Sequence, residues 1–288
     1  MKKFNSTDEI LKYYEVNGND ISHWNGLIDM KKLVENGFKF LFIKAGDGIM
    51  NKNGAMYLDE RFIRNANKAI EAGLYVGYYF FFRPGNDPLA QARFFRQICK
   101  LVPKSHFAPI VDIEISDKLA VKDLAKQLKK FLDEVERLFD TQKVWGKKPI
   151  IYSRYSFLYS KIEGVGGADW IKEYDLWLAR YSLEESLGNW MIWQSSETYR
   201  IPGIGGKIDL NHYRYSLSDL ITYLGLQSEK PVHTINVMDK MEKKQTIVEE
   251  LLSRGIPVRL SMAKMEKIYI ALSNRKKLKS LDDIKKLV

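Results

Sequence analysis

Cysteine and histidine are scarce: the 288 residues include one cysteine, Cys99, and four histidines. A lone cysteine excludes an intramolecular disulfide and a cysteine-based zinc site. His23, His106, His212 and His233 stand far apart, without metal-ligand spacing to one another or to Cys99, so neither a catalytic metal nor any other cofactor is expected. Cys99 itself, within QARFFRQICKLV, reads as a small apolar residue on a helix. No run approaches the roughly 18 uninterrupted apolar residues of a membrane span. The opening MKKFNSTDEILKYYEVNGND starts basic, but charges and asparagines interrupt it where a secretory apolar stretch would run. Export by a signal of the chain's own is therefore not expected. No Gly-rich phosphate loop follows the first strand, which counts against a nucleotide-binding fold.

What is present suits a globular protein with a substantial core: 45% hydrophobic and 28% charged residues. The length allows about two domains, or one large barrel with an appendage. Net charge is +10, unevenly spread, with 14 Lys/Arg against 8 Asp/Glu in residues 229–288 and 32 against 28 before them. So basic an end suits a polyanionic partner such as an anionic wall polymer, lipid or nucleic acid; a solubilising surface explains it equally well.

From residue 18 to about 226, apolar β-rich runs alternate with helical patterns. Strands are expected at 18–22, 39–45, 74–82, 108–115, 148–153, 175–181, 190–196 and 206–211. Most are nearly continuous apolar runs, as for strands covered on both faces. Helices fall between them at 29–36, 59–72, 88–101, 118–140 and 154–162. The clearest carries Leu119, Leu124, Leu128, Phe131, Leu132, Val135 and Leu138 as one stripe. Eight strands, with helices only in the first five intervals, predict an α/β fold: an irregular (β/α) TIM-like barrel of five β/α units plus three strands. An open doubly wound sheet is the alternative. Residues 1–17 form an N-terminal extension, 18–226 the barrel, 227–239 a linker and 240–288 a small basic helical domain, read as helix, RGIP break, helix.

In such a barrel the site lies at the C-terminal ends of the strands. The acids expected there are Asp20 on the first strand, Asp112 and Glu114 on the fourth, and Asp209 near the end of the eighth. Asp20 and Asp209 become neighbours if the barrel closes. Side chains at i and i+2 of a strand share a face, which sets Asp112 and Glu114 roughly 6.5–7 Å apart at Cα. Two carboxyls that close cannot both ionise freely, so one is expected to titrate high. A raised carboxyl beside an anionic one is what protonation of a glycosidic oxygen requires. Tyr78, Tyr79, Phe80, Phe81, Phe82, Tyr152, Trp177, Tyr181, Trp190 and Trp193 add flat rings suited to the C–H faces of sugars, although alternation sends about half of such residues outward.

These pieces, in order, resemble glycoside hydrolase family 25, the Chalaropsis-type lysozymes that include many bacteriophage endolysins. The resemblance spans about residues 18–224. It runs through Gly18-Asn19-Asp20-Ile21-Ser22-His23 with Asn25-Gly26, Phe42-Ile43-Lys44-Ala45, and Ala72-Gly73-Leu74 with Val76-Gly77-Tyr78-Tyr79. It continues with Pro109-Ile110-Val111-Asp112-Ile113-Glu114, Ile151-Tyr152-Ser153, Leu176-Trp177-Leu178-Ala179-Arg180-Tyr181, Trp193-Gln194 and Ile208-Asp209-Leu210-Asn211. Two departures stand out: Phe80 where the family usually has histidine, and Asp47 where it often has glutamate.

The resemblance implies a muramidase that hydrolyses the β-1,4 bond between N-acetylmuramic acid and N-acetylglucosamine in peptidoglycan. It makes Glu114 the general acid and then base, with Asp112 orienting the substrate's own 2-acetamido group in a substrate-assisted, retaining route. Direct attack by a carboxylate is the competing route. Asp20 and Asp209 would bind substrate and tune that pair; Tyr79, Lys44 and Trp177 would line the cleaved subsite, with Tyr152, Gln194 and Tyr78 as further substrate-binding candidates. A phage-type lysin made in the host cytoplasm and acting at the cell wall fits these features, as does a tail-associated enzyme. A glycosidase acting on another N-acetylhexosamine polymer such as chitin, and a silent wall-binding barrel, are the alternatives. The tail would hold anionic wall polymers; nucleic acid remains its alternative ligand, and a plain helical cap or oligomerisation element its structural reading.

Overall fold

The computed structural model describes residues 2–50, 56–162 and 168–226. The expected linker at 227–239 and basic helical domain at 240–288 lie outside the described residues.

Eight strands close into a barrel, in the order β1 (Asn17–Ile21), β2 (Phe40–Met50), β4 (Tyr75–Phe81), β5 (Ile110–Asp112), β6 (Ile150–Arg154), β7 (Leu176–Ala179), β8 (Ile192–Tyr199) and β9 (Ile208–Tyr213), with β9 returning to β1. The extra strand β3 (Met56–Leu58) pairs antiparallel with the far end of β2, which runs five residues past its expected end. The first five intervals carry helices: α2 (Met30–Glu35), α3 (Phe62–Glu71), α4 (Pro88–Cys99), α5 (Val121–Phe139) with α6 (Thr141–Trp145), and α7 (Tyr155–Lys161). The five β/α units and three further strands are therefore present.

One feature differs from a regular β/α barrel. β9 is antiparallel to both β8 and β1. Asp209 therefore reaches the site face from the start of its strand, not from its end as expected. The α5 stripe faces inward as its spacing requires: Leu124, Leu128, Phe131, Leu132 and Val135 are all buried, and Phe131 stacks on Phe82 at 4.4 Å. Asp140 in the left-handed region (φ 52°) separates α5 from α6, ending what the sequence presents as one helix.

Two apolar layers result. Outward side chains such as Tyr78, Phe80 and Phe82 pack under the helices. Inward ones, among them Phe40, Phe42, Phe107, Ile110, Trp177 and Ile192, fill the barrel. The filling is tight enough to demand glycine: a Cβ on Gly18 would lie 2.5 Å from the Phe40 ring, and one on Gly77 2.7 Å from that of Phe42. Two further helices complete the unit. α1 (Thr7–Tyr13) carries the N-terminal segment, whose Phe4, Ile10 and Tyr14 are buried, with Phe4 and Tyr14 against Trp193. α8 (Leu217–Tyr223) buries Leu220 in the barrel-filling layer.

Candidate active site

Alternation along the parallel strands sends every second side chain into the barrel, and the last inward residues of each strand form a polar mouth above the apolar filling. β1 contributes Asp20, β2 Lys44, β4 Tyr79, β5 Asp112, β6 Tyr152, β7 Trp177 and β8 Gln194, while β9 contributes Asp209 and Asn211. Tyr79 faces Lys44 in register, and Asp112 lies between Phe81 and Tyr152. The rings of Tyr152 and Tyr79 lie 4.2 and 6.1 Å from Trp177.

The mouth is wired through Asp20. Its Oδ1 accepts from Gln194 Nε2 at 2.7 Å and from Asn211 Nδ2 at 2.8 Å. Gln194 Oε1 in turn accepts from Tyr152 Oη at 2.7 Å, and Asn211 Oδ1 from Trp177 Nε1 at 2.8 Å. Asp209 shares a hydrogen bond with Asp20. Burial raises both carboxyls, but the amide donors and Asp209 favour the ionised form of Asp20, whereas the Asp20 charge drives Asp209 further up. The dyad therefore holds a proton on Asp209 and the charge on Asp20.

Asp112 is only 3% exposed. Burial raises its titration well above the ordinary carboxylate range, and the charge of Glu114 raises it further, while the Lys44 ammonium partly opposes both. The raised carboxyl of the strand-4 pair is thus Asp112, the deeper of the two, and not Glu114, to which the family resemblance gives the general acid's part. The Asp112 Oδ1 is buried with no hydrogen-bond partner among the described residues. Glu114 lies just beyond the paired part of β5, with its side chain 20% exposed and Oε2 accepting from Arg154 Nε at 3.0 Å. Burial thus differs sharply across the pair: one carboxyl is buried with an unpartnered Oδ1, the other borders solvent.

A second ion-pair group supports Lys44. Asp47 is buried and held by Arg83 through both its oxygens, at 2.8 and 3.1 Å, with Lys44 Nζ at 3.6 Å. Lys44 and Arg83 both lie over the ring of Phe81, at 5.0 and 4.5 Å.

Of the predicted site residues, Asp20, Asp112, Glu114, Asp209, Lys44, Tyr79, Tyr152, Trp177 and Gln194 come together at the mouth. Tyr78 does not: strand alternation turns it to the outer layer, edge-on to Phe62, with its hydroxyl donating to the Pro103 carbonyl. Phe80 lies on that same outer face among Phe94, Phe95 and Phe131, so the histidine replaced there falls outside the mouth. Trp190 and Trp193 are also packed in the outer layer. Asn211 and Arg154 were not singled out from the sequence. The signal was available in both cases, since each stands two residues from a residue already named, on the same face of its strand.

A family model described as glycosyl hydrolases family 25 matches residues 19–204. The uncharacterized protein YegX of Escherichia coli (strain K12) is 31% identical over 226 residues, 76% of each chain. Lysozyme M1 of Streptomyces globisporus is 25% identical over 216 residues, 72% of this chain and 70% of its own. A family 25 glycosyl hydrolase from Bacillus anthracis, known as a structure, superposes with a TM-score of 0.61 at 25% identity, covering 77% of this chain and 97% of its own. The barrel with its antiparallel closing strand, the acids at its mouth and the match over 19–204 lead to one assignment: the chain belongs to glycosyl hydrolase family 25.

Proposed function

We propose that this glycoside hydrolase is an N-acetylmuramidase that cleaves the β-1,4 bond between N-acetylmuramic acid and N-acetylglucosamine in peptidoglycan. The observation that carries the reading is the unequal strand-4 pair inside an aromatic mouth. Glu114 stands at the solvent edge, where a glycosidic oxygen can approach and take its proton. Asp112 lies deeper, with an unpartnered oxygen suited to the N–H of a 2-acetamido group. Holding that N–H turns the acetamido carbonyl toward the anomeric carbon. Its oxygen forms the new bond as the glycosidic bond breaks, and the leaving oxygen takes the proton of Glu114. Glu114, now anionic, withdraws a proton from the water that opens the cyclic intermediate, and the anomeric configuration is retained. Asp20, ionised and held by Gln194 and Asn211, places negative charge beside the developing oxocarbenium centre. Tyr79, Tyr152 and Trp177 supply apolar walls for the sugar faces.

The setting we propose is a phage-type lysin or tail-associated enzyme acting on the bacterial wall, with the basic sequence at 229–288 holding anionic wall polymers. Its net charge of +6 supports that partner.

Purified peptidoglycan incubated with wild type and with Glu114→Gln tests the bond and the acid. Fragments ending in reducing N-acetylmuramic acid are expected from wild type, and a loss of at least about a hundredfold in rate from the variant. Near-normal turnover by Glu114→Gln would overturn the acid assignment, and reducing N-acetylglucosamine ends would overturn the bond. Nuclear magnetic resonance of the fresh product reads the anomer, and an initial α product would exclude the retaining route.

A further inference from the structure

Trp24 is 83% exposed, the most exposed of the large apolar side chains described. A single exposed ring means little by itself, but this one is held in place on the turn that follows the mouth end of β1. It sits in the 3-10 turn His23–Asn25 that leaves the end of β1, four residues from Asp20 and so within about 14 Å of it along the chain. Ser22 and Asn25 cap the turn reciprocally: Asn25 Oδ1 accepts from the Ser22 backbone at 2.8 Å, and Ser22 Oγ accepts from the Trp24 backbone at 3.3 Å. The Asn25 side chain reaches the carbonyl of Lys207, just before β9 begins.

The ring is also in contact with a fixed neighbour. The His23 imidazole lies 4.4 Å from it between centroids, and the ring of Tyr57 of β3 lies edge-on to His23 at 5.5 Å. Asp59, 2% exposed, fixes His23 by accepting from both its backbone N–H (3.0 Å) and Nδ1 (2.8 Å). Three elements that end at the mouth thus hold one flat apolar face toward solvent: β1, the β2–β3 hairpin and the start of β9. Ordering a large side chain without burying it forfeits entropy for little hydrophobic gain, an arrangement suited to a preorganised binding platform.

We propose that Trp24 is a distal sugar subsite, continuous with the cleft on its Asp20 side, which stacks on the C–H face of a pyranose ring of the glycan strand. The ledge is uncharged at its tip, and a flat ring against a row of sugar C–H groups needs no ionic partner. The inference builds on the muramidase reading but is tested separately from it. Its consequence is chain-length selectivity: long strands gain a contact that the shortest cleavable oligosaccharide cannot reach.

The test measures affinity for purified, peptide-free glycan strands in the full-length Glu114→Gln background, with and without Trp24→Ala. A parallel arm compares turnover of polymeric peptidoglycan and of an alternating tetrasaccharide by Trp24→Ala and Trp24→Phe. Trp24→Ala should weaken binding of long strands roughly tenfold and lower the polymer-to-tetrasaccharide ratio of kcat/KM by a similar factor, through KM. Trp24→Phe should recover most of it. Unchanged affinity for long strands would overturn the subsite, as would equal losses on polymer and tetrasaccharide. Absence of peptidoglycan cleavage by wild type would instead overturn the muramidase reading, while the binding arm would still decide the ledge.

Discussion

Asp20 and Asp209 face each other with one hydrogen bond between them, and the fold keeps a proton on Asp209 that an unfolded chain would release. Burial and the neighbouring charge push Asp209 up to about 9, whereas an aspartate in an unfolded chain ionises near 3.9. Between those two values the folded state binds the extra proton, so stability falls as pH rises from about 4 toward about 9. Asp209→Asn keeps the donor to Asp20 and removes the titration. Thermal melts should show the variant more stable than wild type at pH 8, by roughly 2–4 °C for each kcal/mol relieved, with the gap closing near pH 4. A gap that stayed constant across this range would place the effect elsewhere. The acids were legible from the sequence because strand ends select them. Which member of the strand-4 pair titrates high was not, because i and i+2 spacing fixes a shared face but not depth. Depth follows from Asp112 lying within the paired ladder and Glu114 just beyond it.

Among the elements, the direction of β9 is the clearest case of information absent from a local pattern. Residues 206–211 read as an apolar strand whichever way they run; the reversal becomes visible only when β8 and β9 are joined through Tyr199–Ile208 pairing. Asp209 still reaches the mouth because antiparallel entry places the start of β9 where the other strands end. The main helix of each β/α unit was legible, most clearly α5 from its apolar stripe, whereas α6 was not. The short α1 and α8 were not, since their burial depends on partners distant in sequence: Phe4 packs against Trp193, and Leu220 enters the barrel-filling layer. Close packing also makes the β1–β2 contact sensitive. Gly18→Ala brings a methyl into the Phe40 ring and is expected to cost about 1–3 kcal/mol in denaturant unfolding. Trimming the obstacle in Gly18→Ala/Phe40→Leu should cost less than the sum of the two single changes; simple additivity would mean the two sites do not meet.

At the scale of the whole molecule, charge and catalysis separate along the sequence. The first 228 residues carry a net +4 and hold every acid of the mouth, while residues 229–288 carry +6. If the tail holds anionic wall polymers, sedimentation of the full chain with purified walls should weaken steeply between about 50 and 200 mM salt, since exposed charge attraction is screened over roughly 8–10 Å. Turnover of a soluble tetrasaccharide should respond far less. Equal salt sensitivity of both readouts would assign the effect to the mouth and not to the tail.

The pairing of β1 with β9 also imposes an order in time. β1 is made well before its antiparallel neighbour at Ile208–Tyr213, and the Gln194 and Asn211 side chains that donate to Asp20 follow it by 174 and 191 residues. At a synthesis rate of roughly 5–20 residues per second, the first strand waits about ten to forty seconds for the last. During that interval no ring of strands exists, and Asp20 has none of the donors that favour its ionised form. A chain cut short before residue 208 holds Asp20, Asp112 and Glu114 but cannot close around them. Lytic power in this protein therefore arrives with the last strand of the barrel, and not in proportion to the length made.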